Sequence, residues 1–241
     1  MEPKQLPLSP SLHAALDRPV WSALHGAHRA LALGGPLATR YPREIGTFAA
    51  LADNGVAAWT ALAALLAPDE AAMLVTPDAL AAPASSGLVA TPLEPVLQMV
   101  ATRALLPFPS ATPLLEVLGE AHAEAMRALA GLTNPRPFAA RTHQLGEFIG
   151  IREQGVLVAM TGERMRLDDA TEVSAVCVHP GHRGKDYARQ LLAERTRRIM
   201  ACGRLAFLHV YPSNHGAIAL YASLGYVVRN QLHLTRVELA G

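Results

Sequence analysis

Two groups of residues in this chain have types and spacing suited to chemistry. The first is Val-Cys-Val-His-Pro-Gly-His-Arg-Gly-Lys-Asp-Tyr-Ala, from Val176 to Ala188. Thr171 to Val178 is rich in β-branched residues and stops at Pro180, which has no N–H to give to a ladder. From Tyr187 onward, Ala188, Leu191, Leu192 and Ile199 share one side of a 3.6-residue period, and Gly203 ends the run. The stretch predicts a strand, a tight turn and a helix N-terminus. Unpaired N–H groups and the positive end of the helix dipole make such a turn an anion site, with phosphate the usual anion. Gly181 and Gly184 permit unusual backbone geometry, and Arg183 and Lys185 add positive charge. A plain connection with a solvated basic turn fits this stretch equally well. A Walker phosphate loop is excluded: it needs four residues between its glycines and a Ser or Thr after the lysine, where Asp186 stands. The dinucleotide fingerprint is excluded because no Gly-x-Gly pair is present.

The second group runs from Leu205 to Tyr226. Leu205 to Val210 reads as a buried strand, Ser213 or Asn214 can cap a helix running to Leu224, and Gly225 ends it. The order strand, loop, helix thus occurs twice. The two strands are expected to be parallel neighbours, with a ligand where their C-terminal ends splay.

Together the two groups resemble the GNAT superfamily of acyl-CoA-dependent N-acetyltransferases, in particular the branch related to glycine N-acyltransferase. That family's pyrophosphate turn, Gln/Arg-x-x-Gly-x-Gly/Ala, is matched by Arg183-Gly184-Lys185-Asp186-Tyr187-Ala188. Its later signature is matched by Asn214, Ala217, Ala219, Leu220, Tyr221, Gly225 and Tyr226. The resemblance covers roughly Pro113 to the C-terminus. One departure stands out: Asp186 occupies the first glycine of the turn. A carboxylate ~6 Å from a phosphate costs roughly 0.7 kcal/mol under water-like screening and about 3 kcal/mol at an effective dielectric near 20. Arg183 and Lys185 can offset this, and an outward-pointing Asp186 side chain leaves its N–H free to serve the phosphate.

The resemblance implies acetyl-CoA as co-substrate, no metal, and direct transfer to a primary amine in a ternary complex. Residues Arg183, Gly184, Lys185, Asp186, Tyr187 and Ala188 would hold the cofactor's phosphates. The backbone edge at Val176, Cys177 and Val178 would pair with the pantetheine amides, and an N–H near Val178 would meet the thioester oxygen as it gains charge. Tyr221 is assigned the acid that protonates the leaving thiolate, the alternative being a packed tyrosine on an amphipathic helix. Asn214 would hold the cofactor, cap its helix, or do both. Glu172 is the candidate base; strand alternation puts Glu172, Ser174, Val176 and Val178 on one face. Its alternative role is an ion pair with an arginine on a neighbouring strand. Glu163 on the preceding strand is the competing carboxylate, and His179 and His182 are further options. Cys177, His179 and His182 lack a fourth ligand and the usual zinc spacing. Cys177 as an acyl nucleophile conflicts with direct transfer.

These residues need a scaffold, and composition bounds it. The chain has 241 residues, 51% hydrophobic and only 17% charged, with net charge +1. A core is affordable, and no global basic field invites nucleic acid. The longest apolar run, Val56 to Ala67, is too short to span a bilayer, and the start has no apolar signal core. Two cysteines are too few for a disulfide framework. A soluble, cytoplasmic protein is expected, with homodimerisation left open.

The expected fold class is α+β: a mostly antiparallel central sheet containing a parallel, splayed strand pair and flanked by helices. Residues 1–107 are expected to form a smaller α+β domain, either a degenerate copy of the acyltransferase half or a covering lobe. The Pro-rich residues 108–113 are the expected linker, and 114–241 the acyltransferase-like domain. In the first segment, Trp21 to Leu33 and Ala57 to Leu66 read as helices. Leu37 to Tyr41, Ile45 to Leu51, Ala72 to Val75 and Leu88 to Thr91 read as strands; Val96 to Leu106 is ambiguous. In the second, Pro113 to Leu129 reads as a helix. Leu145 to Glu153, Val156 to Arg166 and the Thr171 stretch read as antiparallel strands. Tyr226 to Arg229 and Leu232 to Leu239 read as two closing strands at the sheet's far edge. A non-catalytic module that senses a CoA ester or mediates assembly is the competing function, motivated by Asp186 and by the lack of chemistry in the first segment. An acyltransferase for longer chains is a third.

Overall fold

The computed structural model describes residues 8–102, 115–133 and 138–240. The expected linker lies outside them. The elements in chain order are α1 (Pro10–Asp17), α2 (Pro19–His25), β1 (Leu33–Gly34), β2 (Ala38–Arg40), β3 (Ala49–Leu51), α3 (Val56–Ala63), β4 (Ala71–Thr76), β5 (Leu88–Pro92), β6 (Val96–Ala101) and β7 (Leu115–Leu118). They continue with α4 (Ala123–Thr133), β8 (Phe148–Glu153), β9 (Val156–Arg166), β10 (Ala170–Val178), α5 (Tyr187–Ala201), β11 (Leu205–Val210), α6 (His215–Ser223) and β12 (Tyr226–Leu239). Among the described residues, no helix is long and apolar enough to cross a membrane.

The expected mixed architecture is present. A nine-stranded sheet runs β4-β12-β6-β11-β10-β9-β8-β7, with β5 also on β12, and a small sheet joins β1, β2 and β3. Among the strands of the large sheet, only β10 and β11 pair in parallel. Alternation along the central strands sorts the core into two layers. Phe207 of β11 packs with Leu16, Val20 and Leu24 of α1 and α2. Its neighbours Ala206 and Leu208 pack with Leu192, Ala193 and Ile199 of α5. Helix α4 covers Phe148, Met160 and Cys177 on the face opposite α5.

Four expectations change. Pro113 to Leu129 is not one helix: Leu115–Leu118 alternates and pairs with Phe148–Ile151, and the helix starts only at Ala123, after Gly119. The Trp21 helix stops at His25, because Gly26 leaves helical geometry (φ −110, ψ −119) and only a 3₁₀ turn follows at Arg29–Leu31. The two closing strands are a single strand, β12, with a register shift between Val228 and Asn230. It is not at the edge, since β4 flanks it. Of the ambiguous Val96 to Leu106, residues 103–106 lie outside the described residues; Val96–Ala101 is a strand, and this β6 is inserted between β11 and β12. The strands of residues 71–101 therefore share one sheet with those after residue 114. The division at the linker separates two stretches of sequence, and the sheet runs through both.

Candidate active site

Strands β10 and β11 pair only through Ala170–Leu205, Thr171–Ala206 and Glu172–Phe207. Beyond that point β10 continues for six residues and β11 for three with no ladder between them. The splay coincides with an irregularity in β10. Its register with β9 slips between Ser174 and Cys177, and Ala175 sits in left-handed geometry (φ +52). One extra residue forms a β-bulge and reverses the alternation that follows. As a result Val173, Val176 and Val178 pack towards α5 and α6, while Ala175 and Cys177 face α4. The single face expected for Glu172, Ser174, Val176 and Val178 does not exist.

The His179 N–H donates to the Val158 carbonyl at 2.8 Å. By the alternation of an antiparallel ladder, the N–H groups of Val176 and Val178 then point away from β9, into the splay. A cavity of about 640 Å³ opens there. Ser174, Ala175, Val176, His209, Asn214 and Tyr221 line it around the splay, with Phe48, Met73 and Leu234 forming an apolar wall.

Tyr221 and Asn214 come from α6. Asn214 caps that helix, its Oδ1 accepting from the Ala217 N–H at 3.1 Å, so the expected capping role and a place on the cavity coexist. Burial, reinforced by Cys177, pushes the Tyr221 phenol up to about 12. It therefore holds its proton at neutral pH, as a proton donor must. Cys177 is 1% exposed and its thiol is pushed up to about 11 by burial, which leaves it unreactive.

Glu172 takes the second of its two expected roles, an ion pair with an arginine of the neighbouring strand, and the role of base is corrected. Its carboxylate is fully buried and takes Nε and Nη2 of Arg164 at 2.9 and 2.5 Å and Nδ1 of His209 at 2.7 Å. Burial would raise this carboxyl, but Arg164 and then His209 outweigh it and bring it down to about 2. A group so held cannot take a proton from an amine near pH 7; it anchors Arg164 and His209 instead. Gln98 of β6 completes the cluster. Its Nε2 donates to the Leu16 carbonyl at 2.8 Å and lies 3.2 Å from His209 Nε2, while its Oε1 accepts from Arg229 at 2.8 Å. With the Gln98 amide donating, His209 Nε2 is the acceptor and Nδ1 carries the hydrogen to Glu172. Glu163 is also displaced. It pairs with Arg166 at 2.7 Å and Arg195 at 3.3 Å against α5, and it does not line the cavity.

The basic turn precedes α5 as expected. Gly184 (φ +79) and Asp186 (φ +61) both adopt left-handed geometry, Asp186 as the N-cap of α5. Aspartate is among the few residues other than glycine that tolerate this conformation. The Asp186 carboxylate is half exposed and lies 3.2 Å from Arg189 Nε. Lys185 Nζ binds Glu153 at 2.8 and 2.9 Å, and the Tyr187 hydroxyl donates to the same carboxylate. The Lys185 bond, then Tyr187, holds the Glu153 carboxyl below its ordinary range. Arg183 is exposed, as are Gly184, Lys185 and Asp186. His179 Nδ1 accepts from the Gly181 N–H at 3.1 Å and shapes the turn. The turn lies beyond the C-terminal end of β10, outside the cavity lining.

Sequence reasoning missed Arg127, Arg164, His209 and Gln98. His209 and Gln98 carried a local signal, each a polar residue within an apolar run.

A family profile described as FR47-like protein matches residues 148–235. No curated protein matches the chain. Among solved structures, an acetyltransferase assigned to the GNAT family from Novosphingobium aromaticivorans DSM 12444 is 37% identical, with a TM-score of 0.85 over 94% of this chain and 99% of that one. A GCN5-related N-acetyltransferase from Kribbella flavida is 25% identical, with a TM-score of 0.63 over 94% and 96% of the two chains.

Proposed function

This chain belongs to the GNAT family of acetyltransferases, and on that premise we propose that it transfers the acetyl group of acetyl-CoA directly to a small primary amine. The carrying observation is the splay. From Val173 on, β10 is unpaired on the β11 side, and that edge faces a cavity shared with Tyr221 and Asn214. Bound acetyl-CoA would supply the activated acetyl group as a thioester. The turn from Arg183 to Ala188 offers N–H groups and two cations to a diphosphate. The N–H groups of Val176 and Val178 serve the pantetheine amides and the carbonyl oxygen as it gains charge. The Tyr221 hydroxyl gives its proton to the departing sulfur. No carboxylate lines the cavity among the described residues, so the amine's proton leaves through water rather than to Glu172. The motif spacing supports the branch related to glycine N-acyltransferase, and a cytoplasmic location belongs to the same reading.

Calorimetry with acetyl-CoA tests the reading first; absence of heat at millimolar cofactor defeats it. Thiol release with a panel of primary amines tests the transfer. The binding-module alternative is separated by Tyr221→Phe. A catalyst loses turnover and keeps cofactor affinity, whereas a sensor is indifferent.

A further inference from the structure

The charge on the cavity wall speaks to the acceptor. Among the described residues, three that line the space carry a full charge, Arg127, Arg164 and Arg236, and no Asp or Glu lines it. Two of these arginines are already answered. Arg164 is bound by Glu172 and lies 4.9 Å over the Phe48 ring. Arg236 lies 2.6 Å from Glu238. The carboxylate next to a lining residue, Glu94, is exposed and accepts from the Ser213 N–H at 3.2 Å. Arg127 is exposed on α4 and makes no ion pair among the described residues. It lies three and four residues before Ala130 and Gly131, which also line the cavity. That spacing puts all three on one side of the helix, so Arg127 stands where the cavity meets solvent.

An ammonium group entering this space meets no anion of its own, whereas an anion meets an unanswered guanidinium suited to a carboxylate. Much of the remaining wall is apolar: Phe48, Met73, Val75, Val96, Phe138 and Leu234. Resting on the acetyltransferase reading above, we propose that the acceptor is an amine that also bears a carboxylate and an apolar body, an apolar amino acid being the simplest case. Arg127 receives the carboxylate, the apolar wall takes the side chain, and the amino group is directed to the splay. Arg127 is then a specificity residue that touches the acceptor and takes no part in proton transfer.

The test uses the full chain, acetyl-CoA, and matched acceptors: leucine and phenylalanine against leucinamide and phenylalaninamide. Calorimetry establishes cofactor binding before thiol release is measured. The expected result is a preference for the acids of at least about tenfold in kcat/KM. Arg127→Gln should reduce that preference by about tenfold, in KM more than in kcat, and Arg127→Lys should retain part of it. Arg127 is exposed, so neither variant threatens the fold. Heat with acetyl-CoA but equal use of acids and amides overturns the inference and leaves the acetyltransferase reading standing. So does heat with no turnover of either acid, or a preference that Arg127→Gln leaves unchanged. Absence of heat with acetyl-CoA overturns both.

Discussion

Replacing Glu172 by glutamine separates a structural anchor from a base. Glu172 is fully buried and Arg164 nearly so, with side-chain exposures of 0% and 14%. Glu172→Gln keeps the shape but leaves the Arg164 charge without its partner. Breaking a buried pair from one side costs about 3–5 kcal/mol. The pKa gives a similar magnitude. Moving a carboxyl from 4.5 to about 2 corresponds, at 1.36 kcal/mol per pH unit, to about 3 kcal/mol. Against a domain stability of roughly 5–15 kcal/mol, this is a large share. The sign follows from the direction. The folded carboxyl titrates below the unfolded one, so its contribution is whole above pH 4.5 and is lost as pH falls towards 2. Urea unfolding at pH 7 should show the variant destabilised by about 3–5 kcal/mol. The gap should narrow once the pH drops below 4.5. Changing Arg164 and Glu172 together to methionine should recover part of the loss, since it removes the orphaned guanidinium but leaves the buried His209 Nδ1–H without its acceptor. A Glu172→Gln protein as stable as the parent at pH 7 that nonetheless loses turnover by orders of magnitude would refute this reasoning and return Glu172 to the role of base.

Other expectations are narrower. Tyr221→Phe should lower kcat by about 10²–10⁴-fold and leave acetyl-CoA affinity nearly unchanged by calorimetry. With the phenol pushed up to about 12, a plot of kcat against pH should show no falling limb from this group below about pH 10; a limb that Tyr221→Phe abolishes near neutrality contradicts it. Asp186→Gly should tighten acetyl-CoA binding about threefold, because it removes roughly 0.7 kcal/mol of screened repulsion and relaxes a left-handed aspartate; unchanged or weaker binding counts against a phosphate at this turn. Gly162→Ala should lower stability by about 1–3 kcal/mol in thermal melts, since a Cβ there would overlap the buried Phe148 ring.

The sequence alone determined the local units of the site. β-Branched residues ending at a proline, glycines at the turn and a 3.6-residue apolar period specify the strand, turn and helix from Thr171 to Ala201 through interactions between near neighbours. The same holds for Leu205–Val210, the Asn214 cap and the helix carrying Tyr221. The repeat of that order was enough to expect β10 and β11 side by side and parallel, as they are. What the tertiary structure alone decided depends on contacts between distant residues. The bulge at Ala175 arises from registering β10 against β9, and no residue type announces it, yet it reverses the faces of every residue after it. The burial of Glu172 depends on His209, 37 residues away, and on Gln98 from a strand inserted between β11 and β12. The charge on the cavity wall depends on Arg127, which stands where the cavity meets solvent on a helix whose start local pattern put at Pro113 and the structure puts at Ala123. Short-range propensity sets what each segment is; the sign of the field at its centre is set only when separate segments pack together.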